Sequence, residues 1–191
     1  MTKPASSSKR EPERRLALLK AAFREVAEKG FSDTTLDDIA RRAGVSRGSI
    51  YRRWPSKGVL VYAACVASTD VLPDVIDTGD VRADLVAVAT LTSRSFADAR
   101  QQELVTQILA DAHGDPELMG LLREQFFTPR SDRIVRRVEL AIARGELDAR
   151  VNATLVPALL NGSQQYVWGL RGRTLTDDEI VDLVDMVIGR A

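Results

Sequence analysis

Two residue types that carry much of enzyme chemistry are nearly missing. The chain has one cysteine, Cys65, and one histidine, His113. A lone thiol makes no internal disulfide, which fits a reducing cytosol. As a small apolar side chain, Cys65 belongs in a core. His113 lies in Asp111-Ala-His-Gly-Asp115, three possible metal ligands within five residues. Gly114 and Pro116 mark a helix-ending turn there, where Asp and His are common, and no second cluster completes a coordination shell. No nucleophile signature accompanies the histidine, so a Ser–His–acid arrangement is unsupported. A phosphate-cradling glycine loop is also lacking, since Gly169-Leu-Arg-Gly172 follows no strand. We therefore expect no metal, no cofactor and no enzyme.

Other absences narrow the class further. No apolar run approaches the roughly 18 residues of a membrane span. The first residues, MTKPASSSKREPE, have no apolar centre and do not read as a secretory signal. Aromatics make up only 5% of the chain, against 45% hydrophobic residues in all. A core must then be built from Leu, Val, Ile and Ala. These recur at helical spacing with few strand-like alternations, which predicts an all-α protein.

Lysine is absent after Lys57. Net charge is zero, yet residues 1–60 hold 14 Lys and Arg against 7 Asp and Glu, whereas 61–191 hold 13 against 20. Such asymmetry points to a polyanionic partner for the basic part.

That basic part contains the stretch TTLDDIARRAGVSRGSIYRRWPSK, Thr34 to Lys57. Thr35 suits an N-cap, and Asp37 and Asp38 suit the first helical turn. Leu36, Ile39, Ala40 and Ala43 share one face. Gly44 supplies the positive φ of a helix end. Val45 plugs the joint, and Ser46 caps a second short helix, about Arg47 to Trp54. Ile50 is its inward residue; Arg47, Ser49, Tyr51, Arg52 and Arg53 are left as outward donors. Two helices about a tight turn, the second displaying donors, form the outline of a helix-turn-helix.

Upstream, Glu13 to Lys29 reads as a supporting helix with a stripe of Leu16, Leu19, Phe23 and Val26, ended by Gly30 with Phe31 tucked back. Residues 1–12 read as a flexible arm, whose Lys9 and Arg10 could enter a minor groove. Downstream, Ser56 caps a helix over Lys57–Ser68, placed so that it could transmit movement. Asp70–Asp80, with Pro73 and Gly79, reads as a linker. Helices follow over Val81–Ala99, Gln101–Ala112, from Pro116 to an interruption at Pro129, Ser131–Arg144, Asn152–Leu170, and after a Thr176 cap. The last carries Ile180, Leu183, Val184, Val187 and Ile188 on its apolar stripe.

The elements Thr35-x-x-x-Ile-Ala, Ala43-Gly-Val-Ser, Gly48-x-x-Tyr and Lys57-x-x-Leu occur together in register. Over Arg14 to about Ala64 the chain thereby resembles the tetracycline-repressor (TetR/AcrR) family of bacterial transcriptional regulators. Trp54 stands where many members carry Phe, and Gly58 where Glu is common. The resemblance implies a helix-turn-helix DNA-binding domain over 13–58 and a helical ligand-binding and dimerisation domain over 59–191. It implies that Thr35, Tyr51, Trp54 and Lys57 hold the phosphate backbone. Arg47, Ser49 and Arg52 then meet base edges, Gly48 allows close approach, Arg53 serves either purpose, and Ser46 completes the contact set. It further implies a cytoplasmic homodimer, joined through helices at about 152–170 and 176–189 with small residues Gly162 and Gly169. That dimer represses from a palindromic operator and is released by a small-molecule effector. Phe96, Met119, Phe126, Phe127, Tyr166 and Trp168 could line the effector pocket, although each reads as readily as core. The alternative is a ligand-independent DNA-binding protein whose C-terminal helices only dimerise.

Overall fold

The computed structural model describes residues 7–68 and 77–189, and over them the chain is helical with no strand. The helices pack as two compact units, one of residues 1–71 with 100–122, the other of residues 72–99 with 123–191. The first unit thus takes most of the Lys57–Ser68 helix, and the helices between 99 and 122, from the part assigned by resemblance to the regulatory domain.

In the first unit, α1 (Ser7–Lys29) begins six residues before the expected Glu13. The side chains of Lys9 and Arg10 lie outside the described residues, as does the arm at 1–6. The buried stripe is also turned relative to expectation. Leu18, Leu19, Ala21, Ala22 and Val26 are buried, whereas Leu16 is 45% exposed. α4 (Lys57–Ser68) packs against α1. Every residue from Val59 to Cys65 is buried, so α4 is apolar all round, as a central helix should be. Gly30, at φ +85°, ends α1, and the Thr34 hydroxyl donates to its carbonyl at 2.7 Å. Phe31 tucks back, 4% exposed.

Further along the chain but within the same unit are α6 (Ala99–Gly114) and α7 (Pro116–Leu122). The helix expected to stop at Ala112 runs on through His113, whose Nδ1 lies 2.6 Å from the Leu109 carbonyl. Gly58 has a packing reason: a Cβ there would sit 3.0 Å from Cδ1 of Leu118, so α4 and α7 meet where only glycine fits without adjustment.

The second unit holds α5 (Val81–Ser95), α8 (Thr128–Ala143), α9 (Val156–Arg171) and α10 (Asp177–Ile188). Val81, Leu85 and Val88 meet Ile134, Val138, Val156, Leu160, Ile180 and Val184 in one core. A π turn over Arg123–Phe127 precedes α8. Pro129 therefore does not break the helix: it sits in the first turn of α8, where its missing N–H costs little, and the widened turn before it absorbs the ring. α9 starts at Val156 rather than Asn152. Asn152 Oδ1 accepts from the Thr154 amide at 3.1 Å and hydroxyl at 2.8 Å, a side-chain turn that competes with helix until Pro157 sets the first turn. α10 is capped as expected, by Thr176, with Glu179 closing a capping box. Of the expected linker, residues 70–76 with Pro73 lie outside the described residues.

Inside this unit one arginine is buried with its acids. Arg137 Nε donates to Asp84 at 2.7 Å and its Nη2 to Glu146 at 3.0 Å. The side chains of Arg137 and Asp84 are 2% and 1% exposed. Thr78 adds its hydroxyl to Asp84 at 2.7 Å.

Candidate nucleic-acid interface

The site is built on α2 (Leu36–Ala43) and α3 (Arg47–Tyr51). Thr35 caps α2 in a closed loop of bonds. Its hydroxyl accepts from the Asp38 amide at 3.1 Å and lies 2.6 Å from Asp38 Oδ2, while its own amide donates to that carboxylate at 3.1 Å. These bonds, and then the Lys29 ammonium at 3.2 Å, hold the Asp38 carboxyl well below the usual carboxylate range. The Thr35-x-x-Asp38 spacing was the signal for this capping box; reading Asp38 only as a partner of the helix dipole missed it.

α2 is fastened to α1 by charge. Glu25, its side chain 5% exposed, pairs with Lys29 at 2.5 Å and with Arg42, which also grips Glu28. Hydrogen bonds from Lys29 and Arg42 overcome burial and lower the Glu25 pKa. Glu25 and Lys29 form a local i,i+4 pair, but the two pairs of Arg42 span 14 and 17 residues, so no local pattern announces them.

Gly44, at φ +65°, ends α2 with its amide bonded back to Ala40 and Arg41. The Val45 amide reaches Ala40 at 3.0 Å, which completes the turn. Ser46 caps α3, accepting from the Ser49 amide at 3.3 Å, and the two hydroxyls lie 2.7 Å apart. α3 has five residues, too few to stand alone; fully buried Ile50 fixes it to the head. The helix is shorter than the expected Arg47–Trp54. Arg52 and Arg53 lie in the turn that follows, where the amides of Arg53 and Trp54 both return to the Ile50 carbonyl.

Around Ile50 the remaining side chains face solvent. Arg47, Gly48, Ser49, Tyr51, Arg52 and Arg53 are all exposed, and nothing stands within 4 Å of where a Gly48 Cβ would be. Arg47 is bracketed: Nη1 donates to Asp37 Oδ2 at 2.9 Å, Nη2 to the Tyr51 hydroxyl at 2.9 Å, and the guanidinium lies over the Tyr51 ring at 5.2 Å. The Tyr51 bond first, and Asp37 second, raise its pKa further. Arg53 lies over the Trp54 ring at 5.8 Å.

Two expected contact residues are placed otherwise. Trp54 is 4% exposed, so the anticipated phosphate contact gives way to packing: the large apolar ring closes the head's core. Lys57 is half-withdrawn. Its ammonium donates to the Phe31 carbonyl at 2.6 Å and lies over the Phe31 ring at 4.3 Å. Burial lowers its pKa. A weaker bond reaches the Ser32 carbonyl at 3.4 Å, which leaves the third ammonium proton for another partner.

The residues named for an effector pocket belong to both units. Phe96 stacks on Trp168 at 5.2 Å in the second unit, Tyr166 is 54% exposed, and Met119 belongs to the first unit. Among the described residues no helix is long and apolar enough to cross a membrane.

Comparison with known proteins agrees with this geometry. The family described as bacterial regulatory proteins, tetR family, matches residues 18–64, and the tetracyclin repressor-like C-terminal domain matches residues 75–187. The chain is 32% identical to YdeS of Bacillus subtilis, an uncharacterised HTH-type transcriptional regulator, over 88% of this chain and 84% of that one. It is 30% identical to the DNA-binding transcriptional repressor TetR of Mycobacteroides abscessus, over 92% of each. The crystal structure of the TetR family transcription regulator SCO0332 superposes with a TM-score of 0.77 at 25% identity, covering 94% of this chain and 98% of that one.

Proposed function

Because the chain belongs to the tetracycline-repressor family and is a DNA-binding transcriptional regulator, we propose that it represses transcription as a cytoplasmic homodimer, acting by binding rather than catalysis. α3 lies in the major groove of each half of a palindromic operator. The observation that carries this reading is the set of outward donors arranged about buried Ile50. Arg47, Ser49 and Arg52 meet base edges, with Arg47 on guanine O6 and N7, and Gly48 lets the backbone approach. Thr35, Ser46, Tyr51, Arg53 and the third proton of Lys57 hold phosphates. Trp54 supports this surface from beneath.

The dimer reading is supported by apolar side chains left uncovered on the last two helices. Leu159, Tyr166 and Leu170 on α9 are 49%, 54% and 74% exposed, and Met186 on α10 is 64% exposed. Gly162 and Gly169 have open space beside them, which permits a close helix approach. Two-fold protein symmetry is what a palindromic operator requires. A small-molecule effector held by the C-terminal helices lowers operator affinity by binding one of two states more tightly. Expansion of apolar metabolites over the purified protein, read as a change in operator affinity, tests that part.

The direct test is selection of duplexes from a randomised pool by the full chain, with light scattering of the complex. A palindrome bound by two chains, with half-sites about one helical turn apart or a multiple of it, is expected. Selection of no common sequence, or a one-chain complex, refutes the reading.

A further inference from the structure

Asp37 is an exposed acid that grips a cation of the presented face, and it stands on α2, away from the short helix that reads bases. An acid facing a polyanion is unfavourable unless it does something for a neighbour. Its neighbour is Arg47, held at 2.9 Å by Asp37 on one side and at 2.9 Å by Tyr51 on the other. Asp37 is not needed to end α2, because Thr35 and Asp38 already close that terminus.

A guanidinium has five N–H donors. Asp37 takes one from Nη1 and Tyr51 one from Nη2, which leaves three, one on each terminal nitrogen and one on Nε. That is enough for a bidentate grip on a guanine edge with both brackets kept. A free arginine on an exposed helix would sample many rotamers and would reach phosphate as readily as base. One fixed from both sides presents a single edge, and the entropy of ordering it is already met before DNA arrives.

We propose that Asp37 is a positioning residue for base readout: it orients Arg47 toward the base edge and keeps it from serving as a general phosphate contact. This rests on Arg47 being a base reader. It gives specificity to a cation that would otherwise add only salt-dependent affinity.

Simple electrostatics and positioning predict opposite signs, which makes the test decisive. Asp37→Asn removes an acid near DNA. If Asp37 were only a repulsive surface charge, every duplex would bind tighter. Under positioning, the duplex selected by the wild-type protein binds about two- to ten-fold more weakly. A mixed-sequence duplex of equal length binds as tightly or tighter, with a salt slope steeper by up to about 0.9 as Arg47 gains a phosphate. In an Arg47→Ala background Asp37→Asn adds no further loss on the selected duplex. Asp37→Ser repeats the measurement should the Asn variant melt early. Tighter binding of the selected duplex by both variants overturns the proposal, as does a loss that persists without Arg47. If Arg47→Ala itself binds the selected duplex like wild type, the base-reader assignment fails and the proposal falls with it; if Arg47→Ala weakens binding while Asp37→Asn does not, only the role of Asp37 is refuted.

Discussion

Arg137 offers the sharpest test of what holds the second unit together. Its guanidinium joins α8 to Asp84 on α5 at 2.7 Å and to Glu146 at 3.0 Å. Burial works against the charge, but the bonds to Asp84 and Glu146 outweigh it and raise the pKa. Both Arg137 and Asp84 are almost wholly withdrawn from water, so solvent screening removes little of their interaction. Asp77, at 3.6 Å and 37% exposed, adds little by the same reasoning. Arg137→Met keeps the bulk and removes the charge. Asp84 would then be a buried carboxylate with only the amide and hydroxyl of Thr78 as donors. Breaking one side of a buried pair costs about 3–5 kcal/mol. At a urea slope of about 2 kcal/mol/M, that moves the unfolding midpoint, followed by circular dichroism at 222 nm, by about 1.5–2.5 M. Removing both partners, as Arg137→Met with Asp84→Leu, leaves no fully buried charge unpaired, since Glu146 is part-exposed and keeps Arg144 at 3.6 Å, and is expected to recover most of the loss, as apolar replacements of buried pairs are often neutral or stabilising. A single variant that loses under about 1 kcal/mol, or a double variant worse than the sum of its singles, refutes this reasoning.

Three further outcomes are expected. Glu179, bonded to Arg173 at 2.6 and 2.8 Å and to the Thr176 amide at 2.9 Å, has its pKa lowered to about 2, by Arg173 first. Its contribution to stability is therefore complete above the unfolded value near 4.5 and is lost as pH falls through about 2. The melting gap between wild type and Glu179→Gln should be open at pH 7 and closed near pH 2; a gap independent of pH contradicts the assignment. Gly58→Ala gains up to about 1 kcal/mol of helix preference but presses on Leu118 at 3.0 Å, an overpacking worth about 1–3 kcal/mol, so it should lower the melting temperature. In a Leu118→Ala background the same substitution should raise it, and an equal effect in both backgrounds would count against the close approach. Lys57→Ala should reduce the salt slope of duplex binding by about one unit on selected and mixed sequences alike, and an unchanged slope removes Lys57 from the phosphate contacts.

What could be read from the chain divides by distance along it. Caps and turns are local, and Thr35, Gly44, Ser46 and Thr176 stand where their chemistry puts them. The helix-turn-helix was legible for the same reason. The phase of α1 was not, because Leu16, Leu18 and Leu19 fit two stripes equally and only the neighbouring α4 chooses between them. Pro129 was read as a break because a π turn has no sequence signature of its own. Nothing local marks Arg137 for burial, since its partner Asp84 lies 53 residues away. In the interface, exposure on α3 followed from the pattern around Ile50. The withdrawal of Trp54 and the grip of Asp37 on Arg47 did not, since both depend on how α2 and α3 meet.

The central claim is that Arg47 touches guanine from the major groove. Dimethyl sulfate protection at guanine N7 on the selected duplex tests it at the atom concerned. Wild-type protein should shield one guanine in each half-site, and Arg47→Ala, at a concentration that still saturates the duplex, should leave those two guanines reactive while other protections persist. Equal shielding by both proteins, or no shielded guanine with wild type, would contradict the account.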